Sequence, residues 1–213
     1  MRGLDAELLQ AICTKAGFEL SWIRGTPQWR KRRFRELLND QFDVIFSATP
    51  VPELERLVMY TRPYRNEAFM VAATDLRDPR LIGLQGFEQV LQRRIPLLHV
   101  DAHGLGDDFE NWRERLADAG LLLPYQTTRQ GVDMLRIGRA ALILGDDLDV
   151  HAQARVSGVR LLRQPFGHSV QPVCLMLGRR RLNERDRARI DQAILVLEQR
   201  GTLAAIRRRH GAT

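Results

Sequence analysis

The chain has 213 residues, 44% of them hydrophobic, and a formal net charge of +7. That length holds one large domain or two lobes of roughly 100 residues each, with enough apolar content for a buried core. No apolar run approaches the ~18 residues that span a membrane, and no signal peptide is visible ahead of the first helical pattern.

In chain order, Leu4 to Ala16 places Leu8, Leu9, Ile12, Cys13 and Ala16 at helical spacing, with Gly17 as the stop. Phe18 to Ile23 alternates apolar and polar residues and predicts a strand. Pro27 opens a second predicted helix through Trp29, Phe34, Leu37 and Leu38, followed by a buried strand over Asp43 to Ser47. Ser47, Ala48 and Thr49 form a small-residue loop, and Pro52 to Val58 reads as a short amphipathic helix before Tyr60-Thr61-Arg62-Pro63-Tyr64. In an open α/β sheet the loop at a strand's carboxyl end faces the ligand crevice, and small residues there let a solute approach the backbone.

Further on, Ala68 to Ala73 and Val170 to Leu177 are extended apolar runs. The segment from Leu135 through Gly138 to Gly145 repeats the type of Leu37 through Asp40 to Ser47: helix end, tight turn, buried strand, small residue. Asp40 and Gly138 at the turns are residue types that tolerate positive φ. The last helices are Asn183 to Gln199, with Asn183 as N-cap, and Leu203 to Arg209. Alternating helices and strands imply a parallel sheet covered by helices, and two such units imply two lobes.

The positive charge comes almost wholly from arginine, because Lys15 and Lys31 are the only lysines among 33 basic residues. The arginines are scattered and their clusters fall on helix faces and ends, so a nucleic-acid partner is not expected. Cys13 and Cys174 sit in apolar runs and read as small buried hydrophobes. Nothing has metal-ligand spacing, and neither a metal nor another cofactor is expected. No nucleophile elbow, HExxH or P-loop is present.

Five ordered segments resemble the type 2 periplasmic solute-binding proteins, in particular the polar amino-acid-binding kind (bacterial extracellular solute-binding family 3). They are Gly3-Leu4-Asp5-Ala6-Glu7-Leu8, Phe42 to Ser47, Tyr60 to Tyr64, Gly138-Arg139 to Asp146, and Gly201-Thr202-Leu203. The resemblance implies a two-lobed α/β fold with a hinge of two crossing strands, lobe 1 being residues 1–70 plus 178–213 and lobe 2 residues 75–172. It implies a monomer in the periplasm that closes on a small polar solute and presents it to the membrane permease of an ABC importer. A cyclohexadienyl dehydratase-like enzyme and a ligand-sensing module are the alternatives on the same fold. The family also carries a signal peptide and a strand before the Gly-x-Asp helix, so either Met1 is an internal methionine of a longer protein or the gene is truncated, and the first is the preferred reading.

The family's ligand chemistry transfers in part. The arginine that holds a ligand carboxylate aligns with Glu55 or, with a gap, Leu54; Arg56 is adjacent but out of register. The anion hole of the second lobe aligns with His103-Gly104-Leu105, which lacks hydroxyls. The acidic residue that grips a ligand ammonium aligns with Asp146. The candidate contacts are therefore Trp29, Ser47, Ala48, Thr49, Arg56, His103 and Asp146. Each has a plainer role open to it: helix packing for Trp29, turn chemistry for Ser47 and Thr49, a solvated face for Arg56, an idle loop for His103, a helix cap for Asp146.

Overall fold

The computed structural model describes residues 3–23, 30–74, 78–100 and 104–212, with only the backbone at Arg30 and Lys31. The chain divides into two compact units, Met1–Asn66 with Pro172–Thr213, and Glu67–Gln171.

Unit 1 is built on helix α1 (Leu4–Ala16), which ends at Gly17 in the left-handed conformation. Only glycine enters that region without a Cβ penalty, so the stop is set locally. Helix α2 (Arg30–Leu38) leads to strand β1 (Val44–Ala48), and β2 (Val58–Tyr60) follows. Strand β8 (Ser169–Gly178) enters the unit at Pro172 and lies antiparallel to both, with Val44 and Met59 each opposite Leu177. Helices α7 (Glu184–Gln199) and α8 (Thr202–Arg209) complete the unit.

Alternation along β8 sorts the two faces. Val173, Leu175 and Leu177 pack with α1, α7 and α8, through Leu8, Ile12, Ile190 and Leu203. Met176 packs on the other face with Leu37, Ile45 and Val58. Helix α7 starts in a capping box: Asn183 accepts from the Asp186 N–H and Asp186 accepts from the Asn183 N–H. Replacing Asn183 with Ala is expected to lower stability by about 1 kcal/mol, read as a shifted urea midpoint at unchanged slope.

Unit 2 holds most of β3 (Arg65–Ala73), then α3 (Phe87–Gln92), β4 (Leu97–Val100), α4 (Asp107–Asp118), β5 (Leu122–Tyr125), α5 (Thr128–Arg136), β6 (Leu142–Asp146), α6 (Asp147–Val156) and β7 (Leu162–Arg163). Strands β5, β4 and β6 run parallel in that order, and β3 pairs antiparallel with β6. One face packs Phe69, Val71, Leu97 and Leu144 against Phe87 and Phe109 of α3 and α4. The other packs Met70, Leu98 and Ile143 against Val132 of α5 and Val150 of α6.

The repeated helix-turn-strand unit has the same turn in both copies. Asp40 (φ 57) and Gly138 (φ 75) are both left-handed. The Gln41 N–H reaches Glu36 O and the Arg139 N–H reaches Met134 O, while Asp40 and Gly138 bond Leu37 O and Leu135 O. This paired-bond ending satisfies the last helix carbonyls in each case.

Two expectations are corrected. Phe18 to Ile23 keeps its alternating burial, with Phe18, Leu20 and Trp22 against the unit 1 core, but it forms no strand. Side-chain period alone does not supply a backbone ladder partner. Pro52 to Val58 is not a helix: a single 3-10 turn spans Pro52–Leu54, and Val58 already belongs to β2. The start of the second helix at Pro27 falls outside the described residues. Cys13 and Cys174 are both buried and free, and burial raises the Cys174 thiol to about 11.

Candidate functional site

The sequence points to the end of β1, and a knot of polar side chains stands there. The β1–β8 ladder is interrupted between Ile45 and Ala48, and Ser47 within that bulge has φ 52. A left-handed serine is uncommon and needs support. Its N–H donates to the Tyr64 Oη at 3.1 Å, its hydroxyl donates to Asp5 Oδ2 at 2.9 Å, and it accepts from Arg65 Nη2 at 2.6 Å.

The ring closes through the same three partners. Tyr64 Oη donates to Asp5 Oδ1 at 2.8 Å. Arg65 grips both Asp5 oxygens, Nε to Oδ1 at 2.7 Å and Nη2 to Oδ2 at 3.0 Å. This is a bidentate fork, the strongest form of carboxylate recognition available to a side chain. The Arg65 side chain is 6% exposed and that of Asp5 20%. Burial by itself would raise the Asp5 carboxyl, but the hydrogen bonds and charge of Arg65, with Tyr64 and Ser47, hold it below the ordinary carboxylate range. Burial and the adjacent carboxylate push the Tyr64 phenol well above its usual range.

Ser47 is thus committed to its own unit, and its hydroxyl serves the fold. Ala48 is buried opposite Cys174, and Thr49 is half-buried beyond the strand. Arg56 is exposed on the turn after the 3-10 segment, beside exposed Glu55. Trp29 and His103 lie outside the described residues. Sequence reasoning missed Asp5, Tyr64 and Arg65 as a functional group. The available signal was that Asp5 and Tyr64 each lie in one of the five segments that carry the family resemblance.

In unit 2, parallel β4, β5 and β6 put their carboxyl ends on one edge, where α4, α5 and α6 begin. Such an edge is where open α/β sheets take ligands. Helix N-termini attract anions, and here the chain supplies its own. Asp107, Asp108 and Glu110 open α4; Asp146 caps α6, with Asp147 and Asp149 in its first turn.

Several amides on this edge are bound internally. Leu105 N–H donates to Glu110 Oε1 at 3.2 Å and Gly167 N–H to Asp108 Oδ2 at 3.2 Å. Asp149 N–H donates to Asp146 Oδ1 at 2.7 Å, and Gln130 N–H to the Thr127 hydroxyl at 3.1 Å. Arg113 neutralises Glu110 at 2.7 Å, and Asp147 meets both His151 and Arg163. The edge therefore presents carboxylates, and these four backbone donors are engaged. Among the described residues no three metal-ligating side chains stand together.

A family model for the bacterial extracellular solute-binding proteins, family 3, matches residues 1–213. The chain belongs to that family. Solved structures agree on the two-lobed fold of this solute-binding protein. A histidine kinase sensor domain with similarity to periplasmic binding proteins is 16% identical, with a TM-score of 0.78 over 97% of this chain and 85% of that chain. The arginine-, lysine-, histidine-binding protein ArtJ from Geobacillus stearothermophilus is 15% identical, with a TM-score of 0.72 over 97% and 84%. The ancestral amino acid-binding protein AncCDT-1, a precursor of cyclohexadienyl dehydratase, is 12% identical, with a TM-score of 0.72 over 97% and 84%. Among proteins of curated function none matches by sequence. No helix among the described residues is long and apolar enough to cross a membrane.

Proposed function

We propose that this is the periplasmic solute-binding component of an ABC-type importer, that its solute is a small polar cation of the amino-acid or amine class, and that a membrane permease receives it. Family membership supports the binding role. The observation that carries the charge preference is the carboxyl edge of unit 2, where Asp146 caps α6 and acidic residues fill the first turns of α4 and α6. A ligand carboxylate would meet repulsion there, whereas an ammonium or guanidinium would find acceptors. Within this reading Asp146, Thr49 and Ala48 are solute contacts, with Trp29 and His103, Arg56 meets the carboxylate of a solute that carries one, and Ser47 acts by shaping the loop.

Thermal shift with L-arginine, L-lysine, putrescine and L-glutamate tests the reading. A cation at about 100 times its Kd is expected to stabilise the protein by about 2.7 kcal/mol, and glutamate to leave it unchanged. Asp146→Asn preserves an acceptor for the Asp149 N–H while removing the charge, so it should weaken cation binding, and the melting temperature of the free variant separates that loss from any loss of fold. A shift with glutamate alone would refute the charge preference. Turnover of prephenate would replace binding with dehydratase chemistry. The likeness to a kinase sensor domain supports a second reading, in which the same solute event signals rather than transports; unaltered uptake in a deletion strain would favour it.

A further inference from the structure

The opposite edge of unit 2, where β4, β5 and β6 begin, has its own chemistry. Three aliphatic side chains stand out of it: Ile82 at 67% exposure, Ile137 at 62% and Val156 at 84%. Topology brings them to one edge. Ile137 follows the end of α5, Val156 ends α6, and α5 and α6 pack side by side from starts linked by Thr128 and Asp149. Ile82 follows the 3-10 turn Pro79–Leu81, and Arg93 at the end of α3 donates to Ile82 O at 2.7 Å. Arg80 and Leu81 share a surface cavity with Gly138 and Arg139.

Each aliphatic has arginine beside it in sequence: Arg80 near Ile82, Arg136 and Arg139 around Ile137, Arg155 before Val156. All four arginines are exposed, as are Arg94 and Arg160 on the same edge. Among the described residues the acids here are fewer. Asp78 is bound by Arg80 at 2.7 Å, Asp133 lies 3.7 Å from Arg136, and Asp118 ends α4. Arginine near a helix C-terminus complements the helix dipole, which accounts for some of the charge. It does not account for the three exposed β-branched aliphatics.

We propose that this edge docks on an anionic phospholipid surface, with the arginines on lipid phosphates and Ile82, Ile137 and Val156 among the headgroups. Separate aliphatic tips set among arginines suit a soft, uniformly charged surface. A protein partner would favour a contiguous apolar core with aromatics, and among the described residues none of the exposed large hydrophobics on this edge is aromatic.

Flotation of the whole protein with phosphatidylcholine vesicles, with and without about 30% phosphatidylglycerol, tests this. The protein is expected to float with the anionic vesicles only. The triple variant Ile82→Asp, Ile137→Asp, Val156→Asp should lose at least about tenfold in partitioning while keeping its melting temperature. Arg136→Glu with Arg139→Glu should lose a similar amount and serves as the second variant should the triple change unsettle the fold. Arg185→Glu with Arg200→Glu, exposed on unit 1, should partition like the parent. The proposal is overturned by no flotation with anionic vesicles, by equal flotation without phosphatidylglycerol, by edge variants that bind like the parent, or by an equal loss in the unit 1 control. Capture of an acidic protein without vesicle binding would overturn it as well.

Discussion

Replacing Arg65 with Met is expected to lower stability by about 3–5 kcal/mol at neutral pH, the cost of leaving a buried carboxylate without its counter-ion. The size follows from the contacts that vanish. Asp5 loses both arms of the guanidinium fork, and Ser47 loses one donor to its hydroxyl. Adding Asp5→Leu should recover most of the loss, because the stranded charge goes with it. Recovery stops short, since the Tyr64 and Ser47 hydroxyls then lack an acceptor they had, at about 1 kcal/mol each.

The pH dependence gives the sign independently. In the parent, Asp5 titrates below the ordinary carboxylate range, so its stabilising contribution is complete above that range. It is lost as pH falls from the ordinary value through the lowered one. Without Arg65 the burial that raises the carboxyl is opposed only by the Tyr64 and Ser47 hydroxyls, and protonation then relieves the fold. The variant should therefore close part of its gap to the parent as pH is lowered from 7 towards 4. Urea melts across that range measure it. A constant gap, or a double variant as unstable as the single one, would show that the pair does not act as a couple.

How much of this was legible in the sequence depends on the distance between partners along the chain. Local signals were readable: the α1 stop at Gly17, the Asn183–Asp186 box, and the matched turns at Asp40 and Gly138 each involve residues a few positions apart. The Asp5 knot was not, because its bonds join residues 42, 59 and 60 positions apart. An aspartate in the first turn of α1 already has a sufficient local explanation in the helix dipole, which hides the tertiary one. Phe18 to Ile23 failed in the opposite way. Its pattern correctly gave which side chains face the core, but a strand is defined by a neighbour that a pattern does not contain. Asp146 shows a third case, since the local role weighed for it, capping α6, is present in the bond to Asp149. A carboxylate has several acceptor sites, so capping does not by itself exclude a second role.

Gly145→Ala is expected to destabilise unit 2 by about 1–3 kcal/mol, the usual cost of overpacking a filled core. A small residue closing a buried strand reads from sequence as turn chemistry, but packing explains this one. A Cβ added at Gly145 would stand 2.3 Å from Tyr125 Oη and 2.8 Å from Val150 Cγ2. Tyr125 cannot yield freely, because its hydroxyl donates to Leu144 O at 3.0 Å and its ring is buried between α5 and the sheet. Tyr125→Phe alone should cost about 1 kcal/mol for that lost bond. Combined, the two should be less harmful than their sum, since removing the hydroxyl takes away the nearest clash and leaves the ring carbon at 3.6 Å. Val150 remains too close, so the rescue is partial, and adding Val150→Ala should extend it at the expense of a small cavity. Chemical denaturation of the four members of the cycle decides the matter. Strict additivity would mean that a backbone shift accommodates the added methyl, and the Asp146 cap on α6, one residue away, would then move with it.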